Sequence, residues 1–222
     1  MTKPEAVKAF LEIQAQLQHE GLLEANQGAV KAALRGDEGE IFFAELAGTN
    51  LTMQEIATGV EQEPFFHAFV VKPEAKALLL LKGTYALQIA SSMRALTAEL
   101  DDMAQIVGLT ARVAQTLEPV EMERCLRGRN SCFVKGEGML ITGRSISEAM
   151  TGAILLEKAA MTHLIAQKIG GAKRVPLFSA KLMHFIYQKK YSKINLSAES
   201  ATATSAPQTQ SDAIAQTARE RE

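Results

Sequence analysis

The stretch from Cys132 to Pro176, CFVKGEGMLITGRSISEAMTGAILLEKAAMTHLIAQKIGGAKRVP, constrains the fold more than any other part of this chain. Residues 132–135 are a short apolar run ending in Lys135, and Gly136-Glu137-Gly138 supplies a tight turn. Met139 to Thr142 is a second apolar run, closed by Gly143. Ser145-Ile146-Ser147-Glu148 then has capping-box spacing, a hydroxyl followed three residues on by a carboxylate. Apolar residues recur at Ala149, Ala153, Leu156, Ala160 and Leu164, one face of a helix. Gly170-Gly171 ends that helix and Pro176 follows. The stretch therefore reads as a hairpin feeding a capped amphipathic helix.

The rest of the chain reads as mixed α and β. Thr2-Lys3-Pro4-Glu5 starts a helix with Val7, Phe10, Leu11 and Leu17 inward. Residues 29–34 and 39–44 are strand-like around a Gly36–Gly39 hairpin signal, and Thr52-Met53-Gln54-Glu55 has the spacing of a short capped helix. Further strands are expected at 77–82, 111–116, 132–136 and 138–142, and helices at 84–93, 97–107, 119–127 and about 179–193. One central sheet flanked by helices accommodates this order. Phe65, Phe66 and Phe69 on one short segment serve either core or interface. Beyond Ser197 the chain is rich in Ala, Ser, Thr and Gln, which cannot bury enough surface to offset ordering entropy. The expected organisation is a folded domain over 1–196 and a flexible tail over 197–222.

Composition excludes several classes. With 222 residues and 47% apolar content there is material for one sizeable core. A net charge of −1 without a clustered basic face argues against a nucleic-acid partner. The longest aliphatic run, Ala77 to Leu81, is far too short to span a bilayer, and no membrane partner is expected. The first ten residues lack the layout of a secretory signal. Two cysteines, Cys125 and Cys132, suit a reducing compartment, so a cytoplasmic location is expected.

The 132–176 unit resembles the last third of the class II aldolase/adducin domain, whose pattern is a strand, a His-Gly turn, a strand ending in Gly, and a long helix with a Leu-Glu pair. Gly138, Gly143 and Leu156-Glu157 match; Glu137 stands where the histidine belongs. Residues 21–34 resemble the early glycine-containing phosphate loop, with Gly28 matching and Ala29 and Lys31 replacing its Asn and Ser. Residues 41–58 resemble the strand and loop that follow, with Gly48 matching. Glu63 and His67 keep the spacing of the general acid/base glutamate and a following histidine. Residues 77–90 resemble the strand with a His-x-His metal pair, whose positions are Leu80 and Lys82. The resemblance spans roughly residues 5–176. It implies a three-layer αβα domain with a central mixed, mainly antiparallel sheet, a homo-oligomer (often a tetramer), and a small anionic or sugar-phosphate ligand.

In that family a zinc-like ion acts as Lewis acid on the enediolate formed when a bond breaks beside a carbonyl. Three imidazoles suit such an ion. The four histidines here, His19, His67, His163 and His184, fall at none of the three aligned positions and form no short ligand spacing. The expectation is that no cofactor is bound and that Lys82, Glu137 and Glu63 form a charged cluster in a vestigial pocket with Gly138, Gly28, Gly48 and Tyr85. Lys82 could also be a Schiff-base nucleophile against Leu80, Leu81 and Tyr85, and Lys31, Lys82 and Arg144 could hold an anion. Two classes stay open. One is a pseudoenzyme, a non-catalytic small-ligand or scaffold module. The other is a diverged aldehyde-lyase or epimerase on sugar phosphates, with Glu63 as acid/base, and with zinc or another divalent metal held by other residues.

Overall fold

The computed structural model describes residues 1–24, 29–56, 64–187 and 189. The chain divides into two compact units, Met1–His184 and Phe185–Glu222. In the second, residues 185–187 and 189 are helical, and Lys189 Nζ lies 4.7 Å from the centre of the Phe185 ring. The expected tail, 197–222, lies outside the described residues.

In the first unit the strands are β1 (Val30–Arg35), β2 (Ile41–Ala47), β3 (Asn50–Ile56), β4 (Ala77–Leu81), β5 (Ala95–Thr97), β6 (Thr110–Ala114), β7 (Ser131–Val134) and β8 (Gly138–Gly143). They form one sheet in the order β3-β2-β1-β4-β8-β7-β6-β5. Every neighbouring pair is antiparallel except β6–β7. The principal helices are α1 (Lys3–His19), α2 (His67–Val71), α3 (Thr84–Ser92), α4 (Pro119–Leu126) and α5 (Ile146–Lys168). Residues 177–184 are also helical.

The side-chain alternation of the strands divides the core in two. On one face Ala77, Leu79 and Leu81 of β4 join Phe10 and Ile13 of α1, Ile89 of α3, and Ala153 and Leu156 of α5. On the other, Leu78 and Leu80 join Phe65, Phe66 and Phe69 with Met122 and Cys125 of α4. β4 is thus buried on both faces, which its unbroken Ala-Leu-Leu-Leu-Leu run allows. This is the expected three-layer αβα arrangement with a mixed, mainly antiparallel sheet. The three phenylalanines are core: the Phe65 and Phe66 rings lie tilted with centroids 4.6 Å apart, and Phe43 meets Phe66 edge-on at 5.7 Å.

Two local expectations are corrected. Thr52-Met53-Gln54-Glu55 is not a capped helix but part of β3, which pairs with β2 from Ala47↔Asn50 to Ile41↔Ile56. The helix expected over 97–107 is shorter: residue 97 closes β5, and only residues 101–107 are helical, Met103–Val107 as a π-helical turn that Gly108 ends at φ +114°. No helix among the described residues is long and apolar enough to cross a membrane.

Candidate functional site

One end of the sheet carries most of the residues singled out from the sequence. Leu81 pairs with Met139, so Lys82, the first residue past β4, faces the start of β8. A Cβ on Gly138 would lie 2.4 Å from the Leu81 carbonyl oxygen and 2.8 Å from Lys82 Cα. Only glycine lets the β7–β8 turn close onto the strand end, and its φ of +94° also favours glycine. This contact brings Glu137 beside Lys82 in backbone terms. Glu137 is exposed on the turn, and Lys82 is half-buried.

Lys31 joins the same end. It pairs with Leu80 on β4 and with Glu45 on β2, so Lys31, Glu45, Leu80 and, two residues on, Lys82 fall on one face. Diagonal neighbours of this kind have Cα atoms roughly 7–8 Å apart. Leu80 is buried in the second core cluster. Arg144 does not join them. It follows Gly143, which pairs with Ala77 at the opposite end of β4, and its guanidinium bonds Glu148 at 2.7 and 3.1 Å.

Gly48 shapes the β2–β3 turn at φ +56°, and Gln14 Nε2 donates to its carbonyl at 2.7 Å. Nothing lies within 4 Å of a Cβ placed there, so its role is the turn itself. Tyr85 lies on α3, which packs on α5 in the other layer, so it supplies no wall to the Lys82 face. Gly28 and Glu63 lie outside the described residues, so the expected acid/base has no structural account.

The four imidazoles are distributed over separate elements. His19 ends α1 with its side chain 85% exposed. His67 Nδ1 donates to the Leu117 carbonyl at 3.1 Å, and His184 Nδ1 to that of Gln105 at 2.8 Å. His163 on α5 donates to Glu99 at 2.9 Å. Among the described residues no three of His, Cys, Asp and Glu converge as metal ligands. At the three positions that the resemblance gives to imidazoles, Leu80, Lys82 and Glu137 offer an alkyl group, an ammonium and one carboxylate. That donor set does not fit a zinc-like ion, which takes imidazole, thiolate or several carboxylates.

The resemblance marks Glu157 only as half of a Leu-Glu pair. Glu157 of α5 reaches the first turn of α3, where its carboxylate accepts the Tyr85 and Ala86 N–H groups at 2.8 and 2.9 Å. It caps a helix that has no side-chain cap of its own. Gly83 makes room: a Cβ there would stand 2.2 Å from Glu157 Oε2. Burial pushes the Glu157 carboxyl up from the usual carboxylate range, against the helix N–H groups that pull it down. The available signal was an acid beside the apolar stripe of a helix, where carboxylates are seldom buried without partners. The two cysteines are buried free thiols, and burial pushes both up.

A family model described as the class II aldolase and adducin N-terminal domain matches residues 15–164. No curated protein matches the chain. Among solved structures, an L-fuculose 1-phosphate aldolase superposes with a TM-score of 0.69 at 14% identity, covering 85% of this chain and 98% of that one. L-fuculose 1-phosphate aldolase from Glaciozyma antarctica gives 0.61 at 18%, covering 83% and 84%. Sugar-phosphate aldolase from Thermotoga maritima gives 0.51 at 15%, covering 78% and 99%. At these identities the likeness establishes the shared fold.

Proposed function

Because the chain belongs to the class II aldolase and adducin N-terminal domain family, we propose that it is a member whose divalent-metal site has been lost, acting as a non-catalytic small-ligand or scaffold module. The observation that carries this reading is the strand-end donor set. Lys82 stands against Gly138 where the resemblance places imidazoles, and Leu80 is 4% exposed within the core. A lysine ammonium brings a fixed positive charge there, with Glu137 on the adjoining turn and Lys31 on the next strand. Such a site attracts anions but supplies no open coordination position. A carboxylate without a Lewis acid accelerates cleavage beside a carbonyl little.

The two buried free thiols support a reducing, cytoplasmic setting. Exposed Leu177 and Phe178, at 57% and 80%, support assembly with further copies of the chain. The test is a carbonyl-lyase assay on L-fuculose 1-phosphate and other sugar 1-phosphates, with zinc supplied. Aldehyde release at the buffer rate is expected. Zinc-dependent turnover that vanishes with a chelator would restore the lyase reading.

A further inference from the structure

A cavity of about 340 Å³ opens on the face of the sheet covered by α1, α3 and α5, between the end of α1, the start of α3 and the middle of α5. Lys82 and Glu137 are not among its lining residues. Its apolar lining is Leu22, which is buried, with half-buried Ile154, Met161 and Tyr85. Leu22 is turned inward by the end of α1: Gly21, at φ +69°, donates to the Gln18 carbonyl at 3.0 Å, and Leu22 N–H to that of Leu17 at 2.9 Å. The turn leaves Leu22 5% exposed. Glu157 forms one wall, its carboxylate engaged by the α3 N–H groups.

The rim differs in character. Lys158, Thr84 and Glu20 are exposed there, one cation, one hydroxyl and one anion around an apolar hole. Glu20 Oε1 stands 3.5 Å from His19, whose side chain is 85% exposed. A solvated pair of that kind contributes little, so it does not hold Glu20 against a better partner. The volume falls within the roughly 300–1,000 Å³ of small-molecule sites, which combine apolar walls with a few polar groups.

We propose that this cavity binds a small zwitterion with an apolar body, of the apolar α-amino-acid class. The carboxylate meets Lys158 and the Thr84 hydroxyl. The ammonium meets Glu20 and the face of Tyr85. The side chain rests on Leu22, Ile154 and Met161. Both signs at the rim select the zwitterion: a lone cation leaves Lys158 opposed, and a lone anion leaves Glu20 and Glu157 opposed. The proposal stands apart from the fate of the metal site, since no strand-end residue enters it.

Isothermal titration of the full chain with leucine, methionine and phenylalanine tests this. Glycine, leucinamide (cation only) and 4-methylpentanoate (anion only) are the comparison ligands. One-to-one binding of an apolar amino acid at Kd below about 1 mM is expected, with each comparison ligand about tenfold weaker or worse. Lys158→Ala and Glu20→Gln, both at exposed positions, should each weaken binding about fivefold or more. Ile154→Phe fills the hole and should abolish binding; should it fail to fold, the two rim variants carry the test. No binding by any apolar amino acid would overturn the proposal. So would leucinamide or 4-methylpentanoate binding as tightly as leucine, or a folded Ile154→Phe protein binding like the parent.

Discussion

Replacing Gly138 by alanine should destabilise the protein far more than the same change at Gly136, two residues earlier in the same turn. Both glycines have positive φ, +79° at Gly136 and +94° at Gly138. An alanine in such a conformation costs about 1–2 kcal/mol. At Gly136 nothing lies within 4 Å of the new Cβ, so that strain is the whole effect. At Gly138 the Cβ would sit 2.4 Å from the Leu81 oxygen and 2.8 Å from Lys82 Cα, both backbone atoms. Neither can rotate away, because β4 is hydrogen-bonded to β1 on one side and β8 on the other. Overpacking adds about 1–3 kcal/mol. The total for Gly138→Ala is therefore about 2–5 kcal/mol. With a urea m-value of about 2 kcal/mol/M, the midpoint should fall by roughly 1–2.5 M, against roughly 0.5–1 M for Gly136→Ala. Equilibrium urea unfolding followed by circular dichroism makes the comparison. Equal midpoints for the two variants would refute the close approach, and with it the juxtaposition of Glu137 and Lys82.

Glu157→Ala should cost about 2–4 kcal/mol in the same assay, by stranding two N–H groups of α3 and opening space beneath Gly83. Burial raises the folded Glu157 carboxyl above its ordinary value of 4.5, so it binds more protons folded than unfolded and its contribution to stability declines as pH rises above 4.5; Glu157→Gln should remove this slope in unfolding measured from pH 4 upward. Glu121, held by Arg124 and the Gln115 N–H, has its carboxyl lowered from 4.5 to about 2. Its stabilisation should be present above 4.5 and fade as pH falls toward 2; an NMR titration placing Glu121 at an ordinary carboxylate value would contradict this. The triple change Leu80→His, Lys82→His and Glu137→His should raise zinc uptake above that of the parent, read by equilibrium dialysis with circular dichroism as the folding control.

Sequence periodicity reached the centre of the fold and lost its edges. The hairpin and α5 were legible because glycine turns, the Ser145 cap and the small-residue stripe all agree locally. Ser145 Oγ does accept the Glu148 N–H, at 3.1 Å. β3 was not, because Thr52-x-x-Glu55 satisfies a capping pattern while the pairing with β2 that overrides it is invisible in one strand. The three residues of β5 are too few for periodicity to register. At the candidate site, Lys82 and Gly138 were linked only through the resemblance, which brings two separate strand ends to one site; their close backbone approach shows only in the structure. The role of Glu157 was not: it reaches a helix start 71 and 72 residues earlier in the chain. Nor was the exclusion of Arg144, which follows only from the strand register. Long-range register and the cavity walls depend on how elements pack, and a single sequence records that only indirectly.

Elemental analysis of untagged protein, before and after incubation with zinc, tests the central claim most directly. Loss of the metal site predicts well under one ion per chain in both samples, with no protein-bound zinc surviving gel filtration. A stoichiometric ion retained through gel filtration, and lost on mutation of Glu137 or Glu63, would contradict it and return the chain to the metal-dependent members of its family.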